Sequence, residues 1–453
     1  MNALSTLIAL LTILAAGGGI ALALFRPSGK IALTELLPLA WLLGAAFVSL
    51  ALACGGIVVS GVVLHALVAA ACIALGFFGL QSLRKKQVGI TFSKPSGALE
   101  IALCFLILIQ FAVVLWLACR ESLGWDGLLV WEIKARYAFL NGGAMPHRYF
   151  TDSTRAWSHP EYPLLLPLTE TWLYLWIGDC DQFWVRSIFP AFYFAAALLL
   201  YSGASRLTGK KWTGLTAAAL LFFIPFPVVG RWNLFAGYAD FPLGVFYLAA
   251  VVWFLRMQRE PSRANAILFA ILAGAMPWMK REGTILWACI IAVACIGFLR
   301  RKNFAHALLT PLPGLAVCIG WKLASKAAKA PDSADYLPMT LANLHKNLPR
   351  TGPILRHLGS ELADLGNWSI LWFALPVALV CIALRGDKKT GAQLFALTAL
   401  PLAFYSGIYI FSSWPEYLSH IQVSLPRLVL QVSLAALLAI SLAVGGEKAP
   451  PQP

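Results

Sequence analysis

Charged residues are scarce in this sequence. Only 12% of its 453 residues are Asp, Glu, Lys or Arg, while 60% are hydrophobic and the mean hydropathy is +0.76. Soluble domains carry about 25% charge, so a water-soluble globular chain and a disordered chain are both excluded. Acidic residues are the scarcer kind, 20 against 35 Lys and Arg, which leaves a formal net charge of +15. In a membrane protein that excess reads as a topology signal, with basic loops lying beside the anionic cytoplasmic leaflet. A nucleic-acid interface would need a basic, polar folded domain, and the chain has none. It also lacks a glycine-rich phosphate loop, which speaks against a nucleotide-sugar or ATP site. The nine cysteines (54, 72, 104, 119, 180, 289, 295, 318 and 381) form no CxxC pair, and most lie in apolar runs, where Cys acts as a small hydrophobe. Cys119 and Cys180 flank a polar loop and stand where an oxidising compartment would allow pairing, but spacing alone fixes no geometry. No His/Cys cluster calls for a metal. A divalent cation stays open, since no carboxylate pair with ligand spacing demands one.

What is present is a series of apolar runs of spanning length, about 20 residues each. Thirteen candidates stand at 4–25, 34–56, 60–82, 98–118, 186–204, 212–230, 238–255, 264–279, 284–299, 304–323, 366–384, 391–411 and 424–444. The fold class is therefore an all-α polytopic membrane protein of about 13 transmembrane helices. The first run lacks a basic leader and a small-residue cleavage site, and reads as a retained helix. The stretch 161–177 is apolar but short and broken by Pro160, Pro163 and Pro167. If it lies at the interface instead of crossing, one side collects Arg26, Lys30, Arg84, Lys85, Lys86, Lys94, Arg206, Lys210, Lys211, Arg256, Arg259, Arg263, Arg300, Arg301, Lys302, Arg385, Lys388, Lys389 and Lys448. The short loops of the other side keep only Arg231, Lys280 and Arg281. The positive-inside rule favours that arrangement, with the N-terminus outside. Domain organisation follows: a single integral-membrane unit over 1–447, made of extra N-terminal helices (1–97), a motif-bearing core (98–323), an outer loop (324–365) and C-terminal helices (366–447). A disordered tail occupies 448–453. In the outer loop, Leu341, Leu344, Leu348, Ile354, Leu355, Leu358, Leu362 and Leu365 recur at helical spacing, which predicts amphipathic helices lying on the membrane.

A polar island from Trp125 to Tyr162 stands out against this background, holding Asp126, Glu132, Lys134, Arg136, Asp152, His159 and Glu161. The topology puts three more clusters on its side: Arg231-Trp232-Asn233 through Tyr238-Ala239-Asp240, then Lys280-Arg281-Glu282, and a group of Trp414, Glu416, Tyr417, His420, Gln422 and Arg427. A carboxylate beside basic groups suits one chemistry. It can take a proton from an incoming hydroxyl or amine, while Lys and Arg hold a departing phosphate. Two readings stand for Asp126, a general base or the N-cap of a helix over 128–140. Glu132 competes as base or pairs with Arg136 at i,i+4. Lys280, Arg281 and Arg427 read as phosphate contacts or as cations anchored at headgroups. Asp240 reads as a site acid or a cap. Trp125, Tyr162, Trp232 and Tyr238 read as pocket aromatics or an interfacial belt.

The order of these motifs resembles the GT-C superfamily of integral-membrane glycosyltransferases, in the branch of protein O-mannosyltransferases and lipid A aminoarabinose transferases. The resembling elements are Trp125-Asp126 after a spanning helix, His159-Pro160-Glu161-Tyr162-Pro163-Leu164-Leu165, Phe183-Trp184-Val185-Arg186-Ser187, Tyr238-Ala239-Asp240-Phe241-Pro242 and Trp278-Met279-Lys280-Arg281-Glu282-Gly283, with a looser echo at Arg427-Leu428-Val429-Leu430-Gln431. The resemblance implies a polyprenyl-phosphate sugar donor, an envelope lipid, glycan or protein as acceptor, and transfer at the outer face of the cell (inner) membrane. It also implies roles: Asp126 as base, Asp240 as second acid, Lys280 and Arg281 near the donor phosphate, and His159 with Glu161 ordering the loop. The chain departs from the pattern in its three helices ahead of 98–118, in Gly127 where a second acid would follow Asp126, and in Glu161 where a second proline would follow Pro160. A transporter or lipid flippase is the rival class. It predicts mid-helix charges and paired repeats, whereas 284–299 and 391–411 carry no charge.

Overall fold

A buried charge sits near each end of the most enclosed membrane-length helix among the described residues, Asp240 at its start and Arg256 in its last turn. In the computed structural model, which describes residues 1–26, 29–331, 335–385 and 387–446, this helix runs from Asp240 to Arg259 and is wrapped on all sides. The chain order is α1 (Asn2–Phe25), β1 (Lys30–Ala32), α2 (Leu33–Gly55), α3 (Gly61–Arg84), β2 (Gly89–Thr91), α4 (Ala98–Arg120), a π-helical turn (Gly127–Glu132) leading into α5 (Ile133–Leu140), α6 (Leu165–Ile177), α7 (Ile188–Thr208), α8 (Lys211–Leu220), the central α9 (Asp240–Arg259), α10 (Arg263–Met279), α11 (Gly283–Arg300), α12 (Leu312–Ala327), α13 (Leu341–Asn347), α14 (Thr351–Leu362), α15 (Leu371–Leu384), α16 (Lys388–Ile408) and α17 (Tyr417–Gly445). Strands β1 and β2 form one small parallel ladder, with Ile31 opposite Ile90. The expected tail, 448–453, lies outside the described residues.

Among the described residues, ten helices are long and apolar enough to cross a bilayer. The other three runs read as spans from sequence fall short of that standard. Residues 211–236 form a pair of helical segments bent by 44°, broken where Pro225 interrupts the backbone ladder. Helices α10 and α15 have 17 and 14 residues, about 26 and 21 Å at 1.5 Å per residue, against a hydrocarbon core of about 30 Å. Helix α6 has 13 residues, too few to cross, and packs against α1, α2 and α5. The outer loop folds as α13 and α14, with Leu341, Leu348 and Leu355 exposed.

Side-chain contacts sort the loops into the same two sets that the basic residues separated. On one side, Arg206 pairs with Glu260, Arg259 with Asp387, Arg26 with Ser82, and Lys210 reaches the Gly445 carbonyl. On the other, Asn2 meets Asp181, Gly61 meets Gly142, and the polar clusters described below converge. Helix packing is close where small residues line up. A Cβ on Gly17 would stand 2.0 Å from the Ala40 carbonyl oxygen, so α1 and α2 touch backbone to backbone. Cys119 and Cys180 are both free thiols.

Helix α9 packs on α7, α10 and α17. At its inner end, Arg256 makes a buried ion pair with Glu35 of α2 at 2.8 Å, with Glu260 at 3.4 Å. Removing one member of such a pair strands the other charge, at a cost of about 3–5 kcal/mol, whereas apolar replacement of both is often neutral. Glu35→Leu is therefore expected to lower thermal stability in detergent strongly, and Glu35→Leu with Arg256→Met to restore most of the loss. Equal melting of the single and double variants would show the pair to be incidental.

Candidate functional site

The opposite end of α9 begins with Asp240, and α17 supplies the residues that meet it. Arg427 and Gln431 lie one helical turn apart, so they share a face. Gln431 Nε2 donates to Asp240 Oδ1 at 2.5 Å, and Arg427 Nη1 donates to Asp126 Oδ2. Each of the two aspartates is thus held by one residue of the same helix face. Tyr238 ties the halves together: its hydroxyl accepts the backbone N–H of Asp126 at 3.3 Å, and its ring lies 5.2 Å beneath the Arg427 guanidinium. Lys280, at the turn after α10, donates to Asp240 Oδ1 at 2.7 Å and pairs with Glu282 at 3.1 Å. Tyr405 closes the far side by donating to Gln431 Oε1 at 2.6 Å.

The structure therefore brings Asp126, Tyr238, Asp240, Lys280 and Arg427 into one cluster. Lys280 is only 5% exposed and spends its charge on two carboxylates. Burial pushes its ammonium pKa down, but Asp240 and Glu282 more than offset this and hold it above the ordinary range. Arg281 is exposed, 5.5 Å over the Tyr336 ring. Three buried polar atoms of the cluster have no hydrogen-bond partner: Asp240 Oδ2, Glu282 Oε2 and Arg427 Nε. Buried polar atoms are nearly always satisfied, so three vacancies in one cluster mark a place where something polar fits.

Asp126 is not a helix cap. Its side chain makes no capping hydrogen bond and turns to Arg427 instead. The following backbone enters a π-helical turn, a feature frequent at functional sites. Gly127 has a steric reason: a Cβ there would lie 1.9 Å from the Ala236 carbonyl oxygen, which also accepts the Gly124 N–H at 2.8 Å. A second acid cannot stand at that position because backbone already occupies it.

The rest of the polar island orders the loop above. Glu132 is buried and accepts from Tyr174 at 2.7 Å and Arg136 at 3.1 Å; neither of these partners belongs to the Asp126 cluster. His159 has a left-handed backbone, φ 50°, with its ring stacked on Tyr162 at 4.6 Å and Nδ1 3.3 Å from Glu161. Trp321 donates to the Glu161 carbonyl at 2.8 Å. Asp335, 3.8 Å from His159, links this loop to Trp414, whose ring stacks on His420. Trp125 is exposed, and Trp232 lies under exposed Arg231, so neither enters the cluster. Sequence reading missed Gln431, Tyr405 and Asp335 as site partners; only the i,i+4 spacing of Arg427 and Gln431 hinted at the first. Among the described residues no three His, Cys, Asp or Glu side chains gather as a metal set.

The molecule also has an apolar crevice of about 570 Å³, lined by Leu50, Ile57, Leu164, Trp278, Val317 and Trp321, among others. Two of its walls are near in sequence to polar residues named above: Trp278 precedes Lys280 by two residues, and Leu164 follows Glu161 and Tyr162. Comparison with known protein families, characterised proteins and solved structures finds no match to this chain.

Two outcomes test this geometry. Gly127→Ala should displace Asp126 and abolish whatever the site does while the protein still inserts and purifies as a single species; retained activity would show the close approach to be unimportant. Lys134 gives a pH signature. It is fully buried, donating to the Val130 and Ser158 carbonyls at 2.7 and 2.8 Å. Burial pushes its pKa down to about 7, against the opposing pull of Glu161, Asp126 and Glu170. The unfolded chain keeps an ordinary lysine, so between pH 7 and roughly 10.5 it binds the extra proton and stability rises with pH. Below pH 7 the cost of burying the charge is present in full. The melting temperature should rise from pH 6 to pH 9 more steeply in the wild type than in Lys134→Met, and parallel curves would refute the assignment.

Proposed function

We propose that this protein is a GT-C-like glycosyltransferase that moves a sugar from a polyprenyl-phosphate carrier to an envelope acceptor at the extracytoplasmic face of the cell membrane. The observation that carries the reading is the Asp126–Arg427 pair, on residues 301 apart in sequence; an apolar crevice walled by Trp278, two residues before Lys280, supports it. A lipid-linked sugar phosphate needs both: water-facing charge for its head and an apolar slot opening toward the bilayer for its tail.

In the reaction, the acceptor O–H or N–H gives its proton to the Asp126 carboxylate as the nucleophilic atom attacks the anomeric carbon. The bond from that carbon to the phosphate oxygen breaks, and the polyprenyl phosphate leaves with the bonding electrons. One in-line displacement without an enzyme nucleophile inverts the anomeric carbon, by analogy with inverting glycosidases. Arg427 and the exposed Arg281 hold the phosphate as its charge grows. Lys280 serves from below, as the residue that positions Asp240. Asp240 keeps Gln431, and hence the Arg427 face of α17, in register. His159, Glu161 and Tyr162 shape the loop over the acceptor. A divalent cation would find its ligands in Asp126 and Glu282 only after Arg427 and Lys280 let go of them.

The transporter alternative would use charges held within helices, Glu170, fully buried in the middle of α6, and Arg427 within α17, so the two readings are separated by experiment. The test is Asp126→Asn in the native host, read by mass spectrometry of envelope lipids and glycans. The expected outcome is loss of one glycosylated species by at least about a hundredfold, the scale of a missing general base, with normal membrane insertion. An unchanged glycan profile would sink the reading.

A further inference from the structure

Asp126 and Arg427 form an ion pair, and this poses a chemical difficulty for a base. A carboxylate engaged by a guanidinium is a poor proton acceptor, because taking the proton would break the charge-assisted bond. Among the described residues Arg427 is the only side-chain partner of the Asp126 carboxylate, so whatever draws Arg427 away sets Asp126 free. We infer that Arg427 exchanges Asp126 for the phosphate of the polyprenyl donor, so that Asp126 becomes a base only after the donor is seated. This rests on the glycosyltransferase reading and deepens it.

Three features support the exchange. The pair faces the open side of the site, with Asp126 29% and Arg427 15% exposed, so a ligand can reach both. Arg427 can turn without losing its support, because its guanidinium rests on the flat face of Tyr238 and, among the described residues, makes no other hydrogen bond, with Nε unpartnered. The neighbouring cations are engaged elsewhere: Lys280 is locked between Asp240 and Glu282, the buried Lys134 donates to the Val130 and Ser158 carbonyls, and Arg281 stands at the surface over Tyr336.

The charge balance favours a cycle. The donor is a phosphodiester with one negative charge, and it competes with Asp126 for Arg427 on even terms. As the sugar leaves, the phosphate becomes a monoester carrying up to two charges and holds Arg427 more tightly, while Asp126 takes the acceptor proton and becomes neutral. When Asp126 loses that proton to water, it regains its claim on Arg427 and helps to expel the spent carrier. Donor binding, base activation and product release are thereby coupled through one guanidinium.

The experiment is a double-mutant cycle on the affinity of a long-chain polyprenyl phosphate for the purified full-length protein in nanodiscs. Asp126→Asn removes the competitor and should tighten binding about tenfold, equivalent to about 1.4 kcal/mol. Arg427→Gln should weaken it, and in that background Asp126→Asn should change nothing. Arg427→Lys, which keeps the charge, provides a second background in which the tightening persists in reduced form should Arg427→Gln fail to fold. Equal tightening with and without Arg427 would mean that Asp126 merely repels the anion, and would overturn the exchange while leaving the function standing. No tightening at all would overturn it likewise. Failure of the wild type and every variant to bind the lipid phosphate would overturn both the exchange and the proposed function.

Discussion

A charge inside an apolar bundle is costly without a partner, and the two on helix α9 organise the helices around it. Helix α9 is enclosed throughout its length, yet it opens with Asp240 and nears its end with Arg256. Each charge dictates a neighbour. Arg256 brings Glu35 of α2 against the inner end. Asp240 brings Lys280 from the turn after α10 and Gln431 from α17 against the outer end. Apolar contact alone would let these helices slide or rotate, because lipid tails are as hospitable to Leu and Val as a neighbouring helix is. The buried polar contacts fix the register, and the outer one fixes it where the candidate site lies.

Much of this was legible in the sequence because it depends on composition and order. Low charge and apolar runs of regular length settle the class. The basic residues divide the loops into two sets, and the contacts group the loops in the same way. The polar island around Asp126 stands out because nothing near it is polar. Span counting was less secure, and the reason is local. Pro225 breaks the sixth candidate, 212–230, and α10 and α15 stop short of bilayer length. A hydropathy average over 264–279 or 366–384 cannot register where the backbone ladder ends.

Partner choice was not legible. Lys280 and Arg281 are adjacent and look equivalent in the sequence, but one points into the protein and is neutralised by Asp240 and Glu282, and the other stays in the open over Tyr336. Glu132 and Asp126 look like rivals six residues apart, until the π-helical turn sends Glu132 toward Tyr174 and Arg136. Gly127 read as a departure from the GT-C pattern. Its cause is the Ala236 carbonyl pressed against it, a contact across more than a hundred residues. These are three-dimensional facts with no periodic signature.

The same contact explains why the site needs Gly127 and Tyr238 as much as its charges. Asp126 is held from behind by the close approach of Gly124 and Gly127 to the Ala236 carbonyl, and its amide rests on the Tyr238 hydroxyl. Its backbone is therefore fixed while its carboxylate has a single mobile partner. Asp240 is the reverse case: two donors share one of its oxygens, and it is buried beneath the site. Two aspartates on opposite sides of Tyr238 thus differ in freedom. The one that is anchored by backbone and free at the side chain suits proton transfer, and the one locked at the side chain suits positioning. That asymmetry, more than proximity to the polar island, is the reason for proposing Asp126 and not Asp240 as the base.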